Sequence, residues 1–201
     1  MLVFWKERLI LMAVPKTGTT ALHDSLAPRA AIMLNQPPSA KHMSIAAMQR
    51  VILPLLGPQA SQFQTVATIR HPVDWLSSWY RYRSRKQIAG TPNSSQGMDF
   101  DAFVTAYLSD KQPPFARLGS QAHVLTGRNG QIGVDLLFRY EAMPALLDYL
   151  SHRFGERIEP QRLNISPRKA AKLSPAIEAR LRNERAEDFD LWKQALTEAP
   201  F

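Results

Sequence analysis

Leu9-Ile10-Leu11-Met12-Ala13-Val14-Pro15-Lys16-Thr17-Gly18-Thr19-Thr20 is the stretch on which the fold turns. Leu9 to Val14 is apolar without a break, the pattern of a strand covered on both faces in a parallel sheet. Pro15 and Gly18 end it at once, and from Thr19 the pattern turns helical, with Ala21, Leu22 and Leu26 before Pro28 stops it. Strand, glycine-containing turn and helix form the first unit of an α/β fold. Such a junction aims backbone N–H groups and a helix N-terminus at one point, which makes it a cradle for phosphate. Gly18 allows close backbone approach, Lys16 supplies a point charge, and Thr17, Thr19 and Thr20 add hydroxyls. The order is not that of a Walker A loop, because Lys16 precedes Gly18 and no glycine lies upstream in the turn. A plain strand turn with a solvated lysine fits the bare spacing as well.

Working outward, a second unit of the same kind begins at Thr65. Thr65 to Ile69 is β-branched and apolar and runs into Arg70 and His71, and Pro72 then opens a helix expected to reach about Lys86. Arg70 at the mouth of that helix and Ser78 on its second turn are placed to reach one phosphate beside the carboxyl edge of the sheet. Ala30 to Leu34 reads as a short strand, and Ser44 to Leu56, Asp99 to Leu108 and Phe115 to Leu125 read as helices. Val134 to Phe138 reads as a third strand, followed by a helix from Ala142 to Phe154 and one long charged helix from Pro175 to about Leu196. Gly90 to Gly97 is a polar turn-forming loop. The expected architecture is α/β, a P-loop NTPase-like three-layer fold with a mostly parallel central sheet flanked by helices, in a single domain over residues 1–201.

Composition sets limits around this frame. The chain has 201 residues, 45% of them apolar and 21% charged, enough to bury a core. It has no cysteine, which removes disulfides, thiolate metal sites and a cysteine nucleophile. The formal charge of +8 is uneven: residues 1–100 carry 11 basic and 4 acidic side chains, residues 101–201 carry 14 and 13. An anionic ligand is therefore sought in the first half. Nucleic acid is not the expected partner, since no reading helix or basic stripe with interleaved aromatics is present. The apolar opening Met1 to Trp5 is broken by Lys6, Glu7 and Arg8, and Leu9 to Val14 is far too short to span a bilayer, so the expectation is a cytoplasmic protein without a membrane span.

Taken together the two units carry a family resemblance. Pro15-Lys16-Thr17-Gly18-Thr19-Thr20-Ala21-Leu22 resembles the 5′-phosphosulfate loop of the sulfotransferases, and Ile69-Arg70-His71-Pro72-Val73-Asp74 through Ser78 resembles their 3′-phosphate motif. Val134 to Glu141, Leu163 to Pro167 and Asp188 to Trp192 are similar to segments of the carbohydrate-type and bacterial members. The resemblance implies transfer of a sulfuryl group from 3′-phosphoadenosine 5′-phosphosulfate (PAPS) to an acceptor hydroxyl, small-molecule or carbohydrate, with no metal. It implies that the backbone of Thr17 to Thr20 cradles the 5′-phosphate, that Lys16 meets charge on the oxygen leaving sulfur, and that Arg70 and Ser78 grip the 3′-phosphate.

An alcohol attacking sulfur must lose its proton, so a general base is needed. His42, in Lys41-His42-Met43-Ser44, is the choice that the carbohydrate-type members suggest, with a helix-capping or surface histidine as the plain alternative. His23 is expected to pack beside the loop and His71 to start the following helix. Two departures from the family stand out: the Gly-rich, Lys-ending segment that completes the 3′-phosphate site of the cytosolic small-molecule enzymes is missing, with Arg168 and Lys169 as substitutes, and His71 stands where Asn or Asp is commoner. Arg139 and Glu141 read as an ion pair at a strand end, and Arg81, Arg83, Arg85 and Lys86 as a charged run without assignment. The alternatives are a P-loop small-molecule kinase, disfavoured because the Thr65 to Ile69 strand ends in Arg and not in an acid that holds magnesium, and a sulfotransferase-like binding protein without catalysis.

Overall fold

The computed structural model describes residues 1–127, 130–160 and 171–201. Among them five strands form one sheet: β1 (Leu2–Phe4), β2 (Leu9–Leu11), β3 (Ile32–Met33), β4 (Gln64–Ile69) and β5 (Leu136–Arg139), in the order β3-β1-β2-β4-β5. The helices are α1 (Thr19–Leu26), α2 (Pro38–Lys41), α3 (Ile45–Val51), α4 (Pro72–Arg83), α5 (Phe100–Tyr107), α6 (Gln121–Leu125), α7 (Met143–Phe154), α8 (Pro175–Glu184) and α9 (Ala186–Gln194).

The sheet is mixed, which corrects the mostly parallel expectation. β2, β4 and β5 are parallel, whereas β1 runs antiparallel to both β2 and β3. The reason lies in Lys6, Glu7 and Arg8. They interrupt an apolar run, and the interruption is a hairpin turn that folds Leu2 opposite Leu11 and Phe4 opposite Leu9. Arg8 takes the left-handed conformation there (φ 50°), and its guanidinium lies 4.6 Å from the Trp5 ring.

Alternation along the strands divides the core by face. Leu2, Phe4, Leu9, Leu11, Val66 and Phe138 meet Leu22 and Leu26 of α1 and Leu146 and Leu150 of α7. Val3, Ile10, Ala67, Ile69 and Leu137 face the other way, toward α3, α6 and Leu191 of α9. A third cluster joins α4, α5, α8 and α9 through Trp75, Tyr80, Phe103, Tyr107, Leu181 and Phe189. The chain beyond α9 covers the outer edge of β5, where Arg139 N donates to Leu196 O (2.9 Å) and Leu196 N to Leu137 O (2.7 Å).

Three expected helices are broken. Ser44 to Leu56 is helical only as α3, capped by the Ser44 hydroxyl, and passes into a 3-10 segment at Leu53–Gln62, where Pro54 removes a donor. Phe115 to Leu125 is a 3-10 turn and then α6, separated by Gly119 at φ 70° and restarted by a Ser120 cap. Pro175 to Leu196 breaks at Arg185 (φ −130°, ψ 36°). The break turns Leu191 toward the sheet while Leu181 stays in the third cluster. Among the described residues no helix is long and apolar enough to cross a membrane.

Phe138 is fully buried in the α1/α7 face. Phe138→Ala is expected to lower stability by ~3–5 kcal/mol in urea denaturation. A loss below about 1 kcal/mol would place β5 outside the core.

Candidate functional site

Because β2, β4 and β5 are parallel, their carboxyl ends emerge along one edge, and each delivers one part of the site. Beyond β2 comes the loop Pro15 to Gly18. Lys16 (φ 65°) and Gly18 (φ 77°, the cap of α1) are both left-handed. At Gly18 there is no room for a side chain, since a Cβ would stand 2.9 Å from Tyr140 Cε2. The loop is tied down from inside. Thr17 Oγ1 donates to Val14 O (2.9 Å), Thr68 Oγ1 of β4 donates to Thr17 Oγ1 (2.8 Å), and Trp75 Nε1 of α4 donates to Pro15 O (2.9 Å).

Thr17 and Thr19 are buried with their hydroxyls on Val14 O, at 2.9 and 3.5 Å, so neither hydroxyl faces outward as a ligand. Gly18 is exposed and Thr20 half-buried. Among the described residues, none of the amides from Lys16 to Thr20 donates a hydrogen bond. A helix N-terminus with a run of unbonded amides ahead of it is an anion site in waiting.

Arg70 follows β4. Its backbone is held at both ends by one buried side chain: Arg70 N donates to Gln121 Oε1 (2.9 Å) and Gln121 Nε2 donates to Arg70 O (2.8 Å). Its guanidinium lies 4.5 Å from the Tyr140 ring, just beyond β5, and reaches Lys16 O at 3.4 Å. Arg70 Nε is buried without a partner among the described residues. Tyr140 therefore bridges the two predicted phosphate grips, touching Gly18 on one side and Arg70 on the other. Ser78 is buried on α4 beside Trp79 in sequence, and its hydroxyl bonds no described residue.

The Lys16 side chain runs along α4, with Nζ 4.3 Å from the Tyr82 ring and 5.5 Å from Trp79. Burial, then the charges of Arg85, Arg70 and Arg83, push its pKa down to about 8. His42 follows α2, and its Nδ1 is 2.6 Å from Ala13 O, just upstream of the loop. A carbonyl only accepts, so Nδ1 carries the hydrogen and Nε2 is left as the bare acceptor. Burial holds the His42 pKa below the usual histidine value, partly offset by that bond, which keeps the ring neutral at pH 7. His23 is buried on α1, with neither ring nitrogen partnered among the described residues and its pKa pushed down to about 3, chiefly by burial.

Arg139 and Glu141 are not the expected ion pair. Both fasten Trp192: Arg139 Nε donates to Trp192 O (3.0 Å) and stacks on its ring at 4.1 Å, while Glu141 accepts from Trp192 Nε1 (3.0 Å) and from His71 N (2.8 Å). His71 caps α4 and packs edge-on against Trp192 and Phe189. Leu163 to Pro167, Arg168 and Lys169 lie outside the described residues. Among the described residues no three of His, Asp and Glu converge as metal ligands do.

Two residues of the site were not singled out in the sequence. Tyr140 had a usable signal, its place at the carboxyl end of a strand. Gln121 had none, because its role depends on the break at Gly119 and on Asp188, whose carboxylate accepts from Ala122 N (2.6 Å) and pins the start of α6. Asp188 also closes one side of a cavity of about 520 Å³ between α6 and α9, which contains none of the predicted site residues.

Gln121→Leu keeps the volume but strands both backbone groups of Arg70. The expected loss is ~2–4 kcal/mol in urea denaturation; a loss under about 0.5 kcal/mol would show that the clamp holds nothing. No protein-family model, curated protein or solved structure matches the chain.

Proposed function

We propose that this chain is a sulfotransferase, transferring the sulfuryl group of PAPS to an acceptor hydroxyl on a P-loop-type α/β fold. The observation that carries the proposal is the pairing, across Tyr140, of two separate anion grips: the unbonded amides from Lys16 to Thr20 and the Arg70 guanidinium with its unpartnered Nε. PAPS has two separate anionic groups, the 5′-phosphosulfate and the 3′-phosphate. Lys16 and the amides of Thr17, Gly18, Thr19 and Thr20 would take the first, Arg70 and Ser78 the second.

The chemistry asked of the chain is modest. The acceptor oxygen forms a bond to sulfur as the bond from sulfur to the 5′-phosphate oxygen breaks, the acceptor proton passes to His42 Nε2, and adenosine 3′,5′-bisphosphate leaves. His42 suits the base role because Ala13 O fixes its tautomer and burial keeps it neutral. Lys16 suits the electrostatic role because it is charged at pH 7 and partly desolvated, where a fixed charge acts more strongly than in water.

The test is PAPS turnover, with water or an added hydroxyl compound as acceptor. Lys16→Ala is expected to lose at least about 100-fold in rate, and His42→Ala about 100-fold or more while binding adenosine 3′,5′-bisphosphate with unchanged affinity. For kcat/KM the acid limb should fall below pH 6.5, since His42 must be unprotonated and its pKa is lowered. The alkaline limb should lie near pH 8, where Lys16 loses its charge. Full turnover by His42→Ala, or an activity still rising above pH 9, would defeat these roles.

A further inference from the structure

Arg83 and Arg85 are left over once both phosphates are assigned. On α4, Trp79 and Tyr82 stand edge to face with centroids 5.8 Å apart. Three cations crowd this pair: Lys16 Nζ touches both rings, the Arg85 guanidinium lies 4.8 Å from Tyr82, and the Arg83 guanidinium lies 5.4 Å from Trp79. Among the described residues no carboxylate forms a salt bridge with Lys16, Arg70, Arg83 or Arg85. Trp79 Nε1 and Arg83 Nε are moreover buried donors without a partner among the described residues. Buried donors and crowded like charges both raise the free energy of the empty site, and an anion relieves both at once.

Position decides which anion. Arg70 precedes α4 and Ser78 lies in its middle, whereas Arg83 ends it, ~8 Å beyond Ser78 at the helical rise. The leftover cations thus extend from the Lys16 ammonium away from the 3′-phosphate grip. In the assignment above the sulfuryl group lies at the Lys16 end of the nucleotide, so an acceptor would meet it there and not at the 3′-phosphate end. Resting on the sulfotransferase reading above, we infer that the acceptor is itself an anion, a hydroxyl compound whose carboxylate or sulfate is held by Arg83 and Arg85 against Trp79 and Tyr82 while its hydroxyl is presented beside Lys16.

The test uses the full chain saturated with adenosine 3′,5′-bisphosphate. Two matched pairs are titrated by calorimetry: methyl β-D-glucuronide against methyl β-D-glucoside, and 4-hydroxybenzoate against 4-hydroxybenzyl alcohol. At least one charged member should bind about tenfold or more tightly than its neutral partner, with the preference shrinking as salt is raised. Arg83→Gln/Arg85→Gln should abolish the preference while leaving the bisphosphate Kd within about threefold. The single variant Arg85→Gln, at a half-exposed position, should reduce it with no change in Tm, and Arg83→Lys/Arg85→Lys should restore part of it. Equal binding of charged and neutral members, or a preference that survives the double substitution, would overturn the inference. A bisphosphate Kd raised about tenfold or more by Arg83→Gln/Arg85→Gln would overturn it too, assigning the pair to the nucleotide. Failure of the unaltered chain to bind the bisphosphate would instead remove the sulfotransferase reading on which the inference rests.

Discussion

The parallel pairing of β2, β4 and β5 is the constraint on which everything else depends. Leu11 sits opposite Val66 and Ile69 opposite Arg139, so the loop at Lys16, the guanidinium of Arg70 and the ring of Tyr140 all emerge at one edge. Register matters as much as direction. Side chains alternate between faces, and a one-residue slip of β4 would turn Thr68 away from Thr17 and send Ile69 to the wrong core cluster. The Thr68, Thr17, Val14 chain of hydroxyl bonds therefore joins the register of the sheet to the shape of the loop.

Holding that shape brings a second consequence. Two left-handed residues, one of them a lysine, and a run of unbonded amides are kept in place by bonds made to the loop's side chains and carbonyls, and not by its own amides. Around them Lys16, Arg70, Arg83 and Arg85 are gathered on aromatic faces, and none of the four forms a salt bridge among the described residues. Cation–π contacts offset part of the repulsion, each by about 0.5–2 kcal/mol. The remainder is a standing preference for negative charge, so a fitting anion should also stabilise the fold by mass action.

Much of this was legible in the sequence because the signals were local. The apolar run from Leu9 to Val14 and the turn at Pro15 and Gly18 identified the loop, and Pro72 behind Thr65 to Ile69 located Arg70. What escaped depended on distant partners. The β1 hairpin looked like a broken apolar segment, since Leu2 to Phe4 is too short to show alternation. The break at Arg185 carries no proline or glycine, and what it achieves, seating Asp188 under α6 and Leu191 against the sheet, exists only in the folded chain. Thr17 and Thr19 have the composition of phosphate ligands, yet their hydroxyls turn inward to Val14. Residue type told which groups gather, and packing told which atoms they present.

The most direct test of the central claim is calorimetric titration of the chain with adenosine 3′,5′-bisphosphate beside AMP, GTP and ATP, each with and without magnesium. Two phosphate grips predict saturable bisphosphate binding that is independent of magnesium and about tenfold or more tighter than AMP, the yield of charge-assisted bonds to one added phosphate. Bisphosphate binding no tighter than AMP, or a magnesium-dependent preference for ATP, would contradict the account.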